Sequence, residues 1–363
     1  LVVTGTKGKS TTASVAGHLL AGLGVPCRVG GNIGAVPYDP DQPAAAGGYW
    51  VIEVSSYQAA DMPCSPPVVA VTSLHPDHLD WHGGVERYYR DKLSACSQPG
   101  ADLTVANGDS ELLRQRAGLL GPRVDWVSAG DDPDADWMGP LGLPGRHNRR
   151  NALIARRCLA ALGVPGAADD GALRAAAAGY RGLPSRLAPI GTVAGVTFVD
   201  DSLATNVLPT LAALDSFPGR RVALIVGGHD RGIDYAPLAA AVAARQAPTY
   251  LLAVPDSGPR IRAAVERAAA APPPAVPERP AGSPPAAGPS GFAGAADCPD
   301  LDTAVAAGFE WARPDGVVLL SPAAPSFGAF RDYRDRSEAF ARAMSRLARP
   351  APAARGGLDR PKR

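Results

Sequence analysis

Long apolar runs are missing from this 363-residue chain. None approaches the ~18 residues that cross a bilayer, so a membrane-spanning helix is excluded. Net charge is nearly missing too. Thirty-six Lys and Arg stand against 35 Asp and Glu, leaving +1. That balance gives no reason to expect nucleic acid or a membrane surface as a partner. Cysteine is sparse and scattered. Cys27, Cys64, Cys96, Cys158 and Cys298 form no CxxC pair and no Cys/His metal spacing. Odd in number, they read as reduced thiols, and nothing in the given residues reads as a secretory leader. A cytoplasmic protein, expected as a monomer, follows.

What is present is an alternation of apolar runs with helical patterns, the signature of parallel α/β units. The length favours two domains. Strands are expected at Leu1–Thr4, Tyr49–Val54, Val68–Ser73 and Leu103–Ala106. A second series follows at Val196–Asp200, Val222–Val226, Tyr250–Val254 and Val317–Leu320. Helices are expected near Lys9–Ala21, Asn148–Leu162 and Asp332–Leu347. The breakers Gly182 and Pro184 place a boundary within Tyr180–Pro184, giving domains at 1–182 and 183–349. The Pro-, Ala- and Gly-dominated residues 272–299 read as a flexible insertion, and 350–363 as a disordered tail.

"VTGTKGKSTT" (Val3–Thr12) supplies strand, glycine turn and helix start, the context of a P-loop. Only Thr6 and Lys7 separate Gly5 from Gly8-Lys9-Ser10, two residues where the usual loop has four. Gly5 and Gly8 let backbone N–H groups face phosphate, and the helix N-terminus adds partial positive charge. Lys9 would reach the β- and γ-phosphates, and Ser10 or Thr11 would coordinate Mg²⁺.

The short loop resembles the Gly-Thr-x-Gly-Lys-[Ser/Thr]-Thr loop of the Mur ligases, ATP-dependent amide-bond-forming enzymes of peptidoglycan synthesis. Further matches run in family order. "GGNIG" (Gly30–Gly34) resembles the segment whose Asn, here Asn32, meets the UDP-muramoyl substrate. "IEVSSYQ" (Ile52–Gln58) resembles the stretch whose Glu holds Mg²⁺. That residue is Glu53, at a strand's C-terminal end where ligands gather in open α/β sheets, and Ser55 follows as a substrate contact. "SLHPDHLDWHG" (Ser73–Gly83) makes His78 a second metal ligand. An imidazole is an uncommon choice for Mg²⁺, so this rests on the resemblance. Lys92, fourteen residues on, falls at the family's CO₂-carbamylated lysine. A carbamate turns a cation into a bidentate oxygen ligand and requires a neutral amine. "GRHNRRNALIA" (Gly145–Ala155) would bring His147, Asn148 and Asn151 near the adenine.

In the second half "GLPSR" (Gly182–Arg186) would send Arg186 to the ATP phosphates. "FVDDSLATNVLPT" (Phe198–Thr210) maps Asp201 to the nucleotide ribose and Thr205 to the amino acid, with Leu203 standing where the family has Lys. "VGGHDRGIDY" (Val226–Tyr235) offers Arg231 where the glutamate-adding ligases usually have Lys, and Arg can grip a carboxylate bidentately. "LLSPAAPSFGAFRDYRDRSEAF" (Leu319–Phe340) maps Ser326 and Tyr333 to the glutamate pocket.

The resemblance implies a fold: a P-loop central domain with a mostly parallel sheet, then a C-terminal Rossmann-like α/β domain. It implies a reaction: ATP-driven joining of glutamate to UDP-N-acetylmuramoyl-L-alanine through an acyl phosphate, with two Mg²⁺ ions. D-glutamate comes first, with L-glutamate the alternative to which "DDSL…GGHDRG" lies nearer. Another ligase of the same fold, or a non-catalytic ATP-binding fragment, are the remaining readings. The family also carries a UDP-gripping domain ahead of the P-loop strand. This sequence starts at that strand, so the polypeptide is expected to bind ATP and hold the UDP-sugar weakly.

Overall fold

The computed structural model describes residues 1–33, 37, 48–271 and 291–348. It divides into two compact units, Leu1–Leu183 and Pro184–Arg363.

Among the described residues, unit 1 holds strands β1 (Val2–Thr4), β2 (Cys27–Gly31), β3 (Tyr49–Glu53), β4 (Val68–Val71), β5 (Leu103–Asn107) and β6 (Val124–Val127). They form one parallel sheet in the order β2-β3-β1-β4-β5-β6. Its helices are α1 (Lys9–Gly22), α2 (Ser56–Asp61), α3 (Leu79–His82), α4 (Val85–Leu93), α5 (Glu111–Gln115), α6 (Arg146–Ala161) and α7 (Asp170–Ala177). Period-two alternation sends Val3, Val68 and Ala70 to a core with α1, α6 and α7, where Leu19, Leu20 and Ile154 are fully buried. Val2, Val69 and Val71 face the other core, against Tyr88, Leu93 and Leu113. A sheet buried on both faces is why these strands are near-continuous apolar runs.

Unit 2 holds β7 (Ala188–Val193), β8 (Val196–Asp200), β9 (Val222–Gly228), β10 (Thr249–Asp256), β11 (Phe292–Asp297) and β12 (Val317–Leu320), in the order β11-β10-β9-β12-β8-β7. Among the described residues of this unit, only the β7–β8 pairing is antiparallel. Its helices are α8 (Val207–Asp215), α9 (Ala236–Ala244), α10 (Gly258–Ala270), α11 (Leu301–Ala312) and α12 (Tyr333–Leu347). Val222, Leu224 and Val226 pack under α8–α10, while Ala223 and Ile225 face Phe309 and Phe340 of α11 and α12.

One expectation is corrected here. Residues 292–297, placed within the flexible insertion, are strand β11, paired in parallel with β10. Its Ala and Gly side chains bury little, and the ladder to β10 supplies what composition did not show. Residues 272–290 of that insertion, and the tail, lie outside the described residues. No helix among the described residues is long and apolar enough to cross a membrane.

Candidate functional site

The turn after β1 is built before any ligand arrives. Thr6 N–H donates to Ser73 O (2.9 Å) and Lys7 N–H to Ser73 Oγ (2.8 Å). Thr72 Oγ1 donates to Lys7 O at 2.6 Å. Thr6 Oγ1 donates to His75 O and shares a 2.9 Å hydrogen bond with the Tyr88 hydroxyl. The residues following β4 therefore strap the loop. A Cβ on Gly5 would sit 2.4 Å from Thr72 Oγ1, and one on Gly8 2.8 Å from Asn151 Oδ1. Both glycines also hold positive φ, +132° and +91°. Gly8 caps α1 with no side-chain hydrogen bond, so the first-turn N–H groups have the character of an anion site.

Beneath the loop lies a cavity of about 210 Å³ lined by Thr6, Lys9, Asn32, Ser55, His78 and Lys92, with Ser56, Tyr57, Asp77 and Tyr88 completing it. Lys9 Nζ donates to Thr6 O at 3.2 Å. Lys92, on α4, is 2 % exposed and donates to Gly5 O at 3.2 Å. Burial, reinforced by the Lys9 charge, draws its amine down to about 7. Glu53, at the tip of β3, is 1 % exposed. Asn32 Nδ2 donates to its Oε1 at 3.3 Å, and its Oε2 is buried with no partner. A carboxylate oxygen left so is costly, and a cation would satisfy it.

Among the described residues no group of three His, Cys, Asp or Glu is spaced to hold a metal. The sequence-derived set explains that result. Glu53 and His78 are its only members of those types, and Lys92 becomes a ligand only as a carbamate. The orphaned Glu53 oxygen, the cradle that any Cβ would fill, and the buried amine fit Mg²⁺ and phosphate. His78 starts α3 with φ +51°, and burial lowers its pKa. Ser55 is the N-cap of α2, accepting from Gln58 N–H in a capping box. Ser10 and Thr11 begin α1.

Not every residue named from sequence reaches this cavity. Asn151 adjoins Gly8, but Asn148 turns its amide to Pro144 O at 2.9 Å. His147 lies beside them, held neutral by burial down to about 4. Sequence reasoning missed Tyr88. Its place four residues before Lys92, on one helix face, was the available signal.

In unit 2 Asp201 follows β8. Its Oδ1 accepts Leu187 N–H (3.0 Å) and its Oδ2 accepts Ser321 Oγ–H (2.7 Å). Leu203 N–H donates to Ser185 O, so the segment carrying Arg186 is pinned to the loop carrying Thr205. Burial pushes the Asp201 carboxyl up to about 7, against those two hydrogen bonds. Arg336, also missed from sequence, is 3 % exposed and donates to Ser202 O and Ala324 O (2.8 and 3.1 Å). Ser326 lines a separate cavity of about 660 Å³ with Gly227, Gly228, Asp256, Phe330 and Arg336. Thr205, Arg231 and Tyr333 do not line it, and Arg231 is exposed.

Comparison with known proteins gives a consistent result. Residues 3–141 match the Mur ligase middle domain, and residues 185–324 match the Mur ligase, glutamate ligase domain. A UDP-N-acetylmuramoyl-L-alanine--L-glutamate ligase from Micromonospora is 42 % identical over 94 % of this chain and 73 % of its own length. One from Xanthomonas euvesicatoria is 39 % identical over 99 % and 74 %. Among solved structures, a UDP-N-acetylmuramate-alanine ligase from Thermotoga maritima superposes with a TM-score of 0.60 at 18 % identity, covering 95 % of this chain and 75 % of that one. At that identity the last likeness speaks for the fold alone.

Proposed function

Because this chain belongs to the Mur ligase family, whose members are ATP-dependent amide-bond ligases, we propose that it joins L-glutamate to the terminal carboxylate of UDP-N-acetylmuramoyl-L-alanine. The observation that carries the reading is the cavity under the P-loop, lined by Lys9 and buried Lys92, with Glu53 bonded to Asn32 of its wall and keeping one buried oxygen without a partner. The resemblance put D-glutamate first. The names of the Micromonospora and Xanthomonas relatives favour the L-enantiomer.

The substrate carboxylate attacks the γ-phosphorus of ATP. A carboxyl O–P bond forms, the bond to the β-phosphate oxygen breaks, and ADP leaves. The glutamate amine then attacks the acyl carbon. The C–N bond forms, phosphate departs with the C–O electron pair, and the amine gives up a proton. In unit 1 the P-loop N–H groups and Lys9 hold the phosphates, and Thr6 keeps the loop in shape. Ser10, Glu53, His78 and Lys92, the last as its CO₂ adduct, would hold Mg²⁺. Bound there, the metal spreads the phosphate charge that builds during transfer. With its pKa drawn down to about 7, a substantial fraction of the buried Lys92 amine is neutral near pH 7, which is the form that adds CO₂ and releases a proton. In unit 2 Arg186 serves the phosphates and Asp201 the ribose. Thr205, Arg231, Ser326 and Tyr333 receive glutamate, with Arg231 gripping a carboxylate.

The test is phosphate release by this polypeptide with ATP, Mg²⁺, UDP-N-acetylmuramoyl-L-alanine and a panel of amino acids. Release dependent on both acceptor and L-glutamate is expected. Release that prefers D-glutamate, or a folate acceptor, overturns the assignment.

A further inference from the structure

At the cavity wall, three side chains that the reaction above does not use form a relay, buried at Ser56 and His82 and half-buried at Asp91. His82 Nδ1 lies 2.7 Å from Asp91 Oδ2, and His82 Nε2 lies 2.9 Å from Ser56 Oγ. His82 is 2 % exposed and Ser56 1 %. The Asp91 carboxylate, an acceptor, calls for a proton on Nδ1, and Nε2 shares its hydrogen bond with the Ser56 hydroxyl. The ring packs against three others, the nearest being Trp81, edge-on at 4.4 Å. Tyr57 stacks on it at 5.5 Å, and Tyr88 meets it edge-on at 5.1 Å.

The two ends of the relay fall at telling places. Ser56 is the first residue of α2, three beyond Glu53 at the tip of β3. Asp91 is the residue before Lys92 on α4. One imidazole thus joins the neighbour of the orphaned carboxylate to the neighbour of the buried amine. Those two groups come from segments 39 positions apart (92 − 53) that no strand pairing links directly. A metal site needs its ligands placed to within about 0.5 Å. Glu53 is fixed by the sheet, whereas Lys92 depends on how α4 seats.

Resting on the metal-site reading above, we propose that His82 is a positioning residue. Through Ser56 and Asp91 it sets the separation of the Glu53 carboxylate and the Lys92 amine, and it contacts neither metal nor substrate. A relay that merely stabilised the fold would lower the melting temperature without changing metal affinity. A positioning relay changes metal affinity in protein that remains folded.

The experiment reads Mn²⁺ binding in the presence of ADP by electron paramagnetic resonance. The Lys92 carbamate is followed separately by NMR with ¹³C-bicarbonate. His82→Phe keeps the ring contacts and removes both hydrogen bonds. It is expected to weaken Mn²⁺ binding at least tenfold and to diminish the carbamate signal. His82→Asn, which retains a donor for Asp91, should fall between His82→Phe and wild type. Wild-type Mn²⁺ affinity in folded His82→Phe overturns the proposal. Should His82→Phe fail to fold, Ser56→Ala and Asp91→Asn decide: at least threefold weakening in each supports the proposal, and unchanged affinity in both overturns it. Glu53→Gln separates the two levels. If it leaves Mn²⁺ affinity intact, the metal reading falls and this proposal with it. If it abolishes binding while His82→Phe does not, only the role of His82 falls.

Discussion

Lys92 in unit 1 and Asp201 in unit 2 have been moved in opposite directions to the same place. Burial brings the lysine down to about 7 from 10.5 and the aspartate up to about 7 from 3.8. Their surroundings differ. Lys92 Nζ donates to one carbonyl and borders a cavity. Asp201 has a donor on each oxygen and ties the segment before β7 to the segment after β12. The same displacement thus accompanies an amine open to a cavity in one unit and, in the other, a carboxyl that also clasps two segments together. A perturbed pKa marks a candidate site, and the hydrogen bonds around the group say what else depends on it.

The sharpest way to break this contrast is to remove each group. Lys92→Met should lower ligase turnover by about 10²–10³, the scale for losing a transition-state charge stabiliser, with an unchanged or raised melting temperature. Asp201→Ala should fall on stability as well as on ATP binding. It strands the Leu187 N–H and the Ser321 hydroxyl, at about 1–3 kcal/mol for each group left unsatisfied, and lowers the melting temperature by several degrees. Steady-state kinetics beside thermal melts check both. Equal loss of activity and stability in the two variants would dissolve the distinction.

A second test uses pH. Asp201 titrates higher folded than unfolded, so its contribution is full below about 4 and is lost as pH rises through about 7. Lys92 titrates lower folded than unfolded, so its contribution is full above about 10.5 and is lost as pH falls through about 7. Together they predict a minimum near pH 7 in the unfolding free energy of the metal- and nucleotide-free protein. Asp201→Asn should flatten the acid side of that minimum and Lys92→Met the alkaline side, read by urea melts across pH.

Two smaller effects sharpen the comparison within each unit. Gly8→Ala forces a side chain into φ +91° and against Asn151. It should cost about 1–2 kcal/mol locally and weaken ATP binding several-fold by calorimetry. Arg231→Lys replaces a two-pronged donor by a point charge. It should raise the KM for glutamate several-fold while leaving kcat nearly unchanged, because exposed Arg231 lies outside both cavities.

The sequence disclosed the inside of each sheet and missed its rims. β1, β3, β4 and β5, and β8, β9, β10 and β12, all stand where their apolar runs place them. The strands that escaped notice, β2, β6, β7 and β11, are the edges of the two sheets. Edge strands are half exposed and tolerate residues that a central strand excludes. β2 ends in Gly30-Gly31, β7 contains Pro189, and β11 is largely Ala and Gly. The site divides in the same manner. Lys9, Glu53, His78 and Lys92 could be proposed from sequence because contiguous motifs carry them. Tyr88, the His82 relay and Arg336 were not, because their partners lie 82, 26 and 134 residues away in sequence.

The strapped turn after β1 has one more consequence. Thr72, Ser73, His75 and Tyr88 hold its shape by hydrogen bonds that need no ligand. On the proposed reading, an arriving nucleotide would wait for no rearrangement of this turn, and a departing one would undo none. Exchange at this loop should be fast in both directions, with residence time governed by the strength of the phosphate contacts themselves.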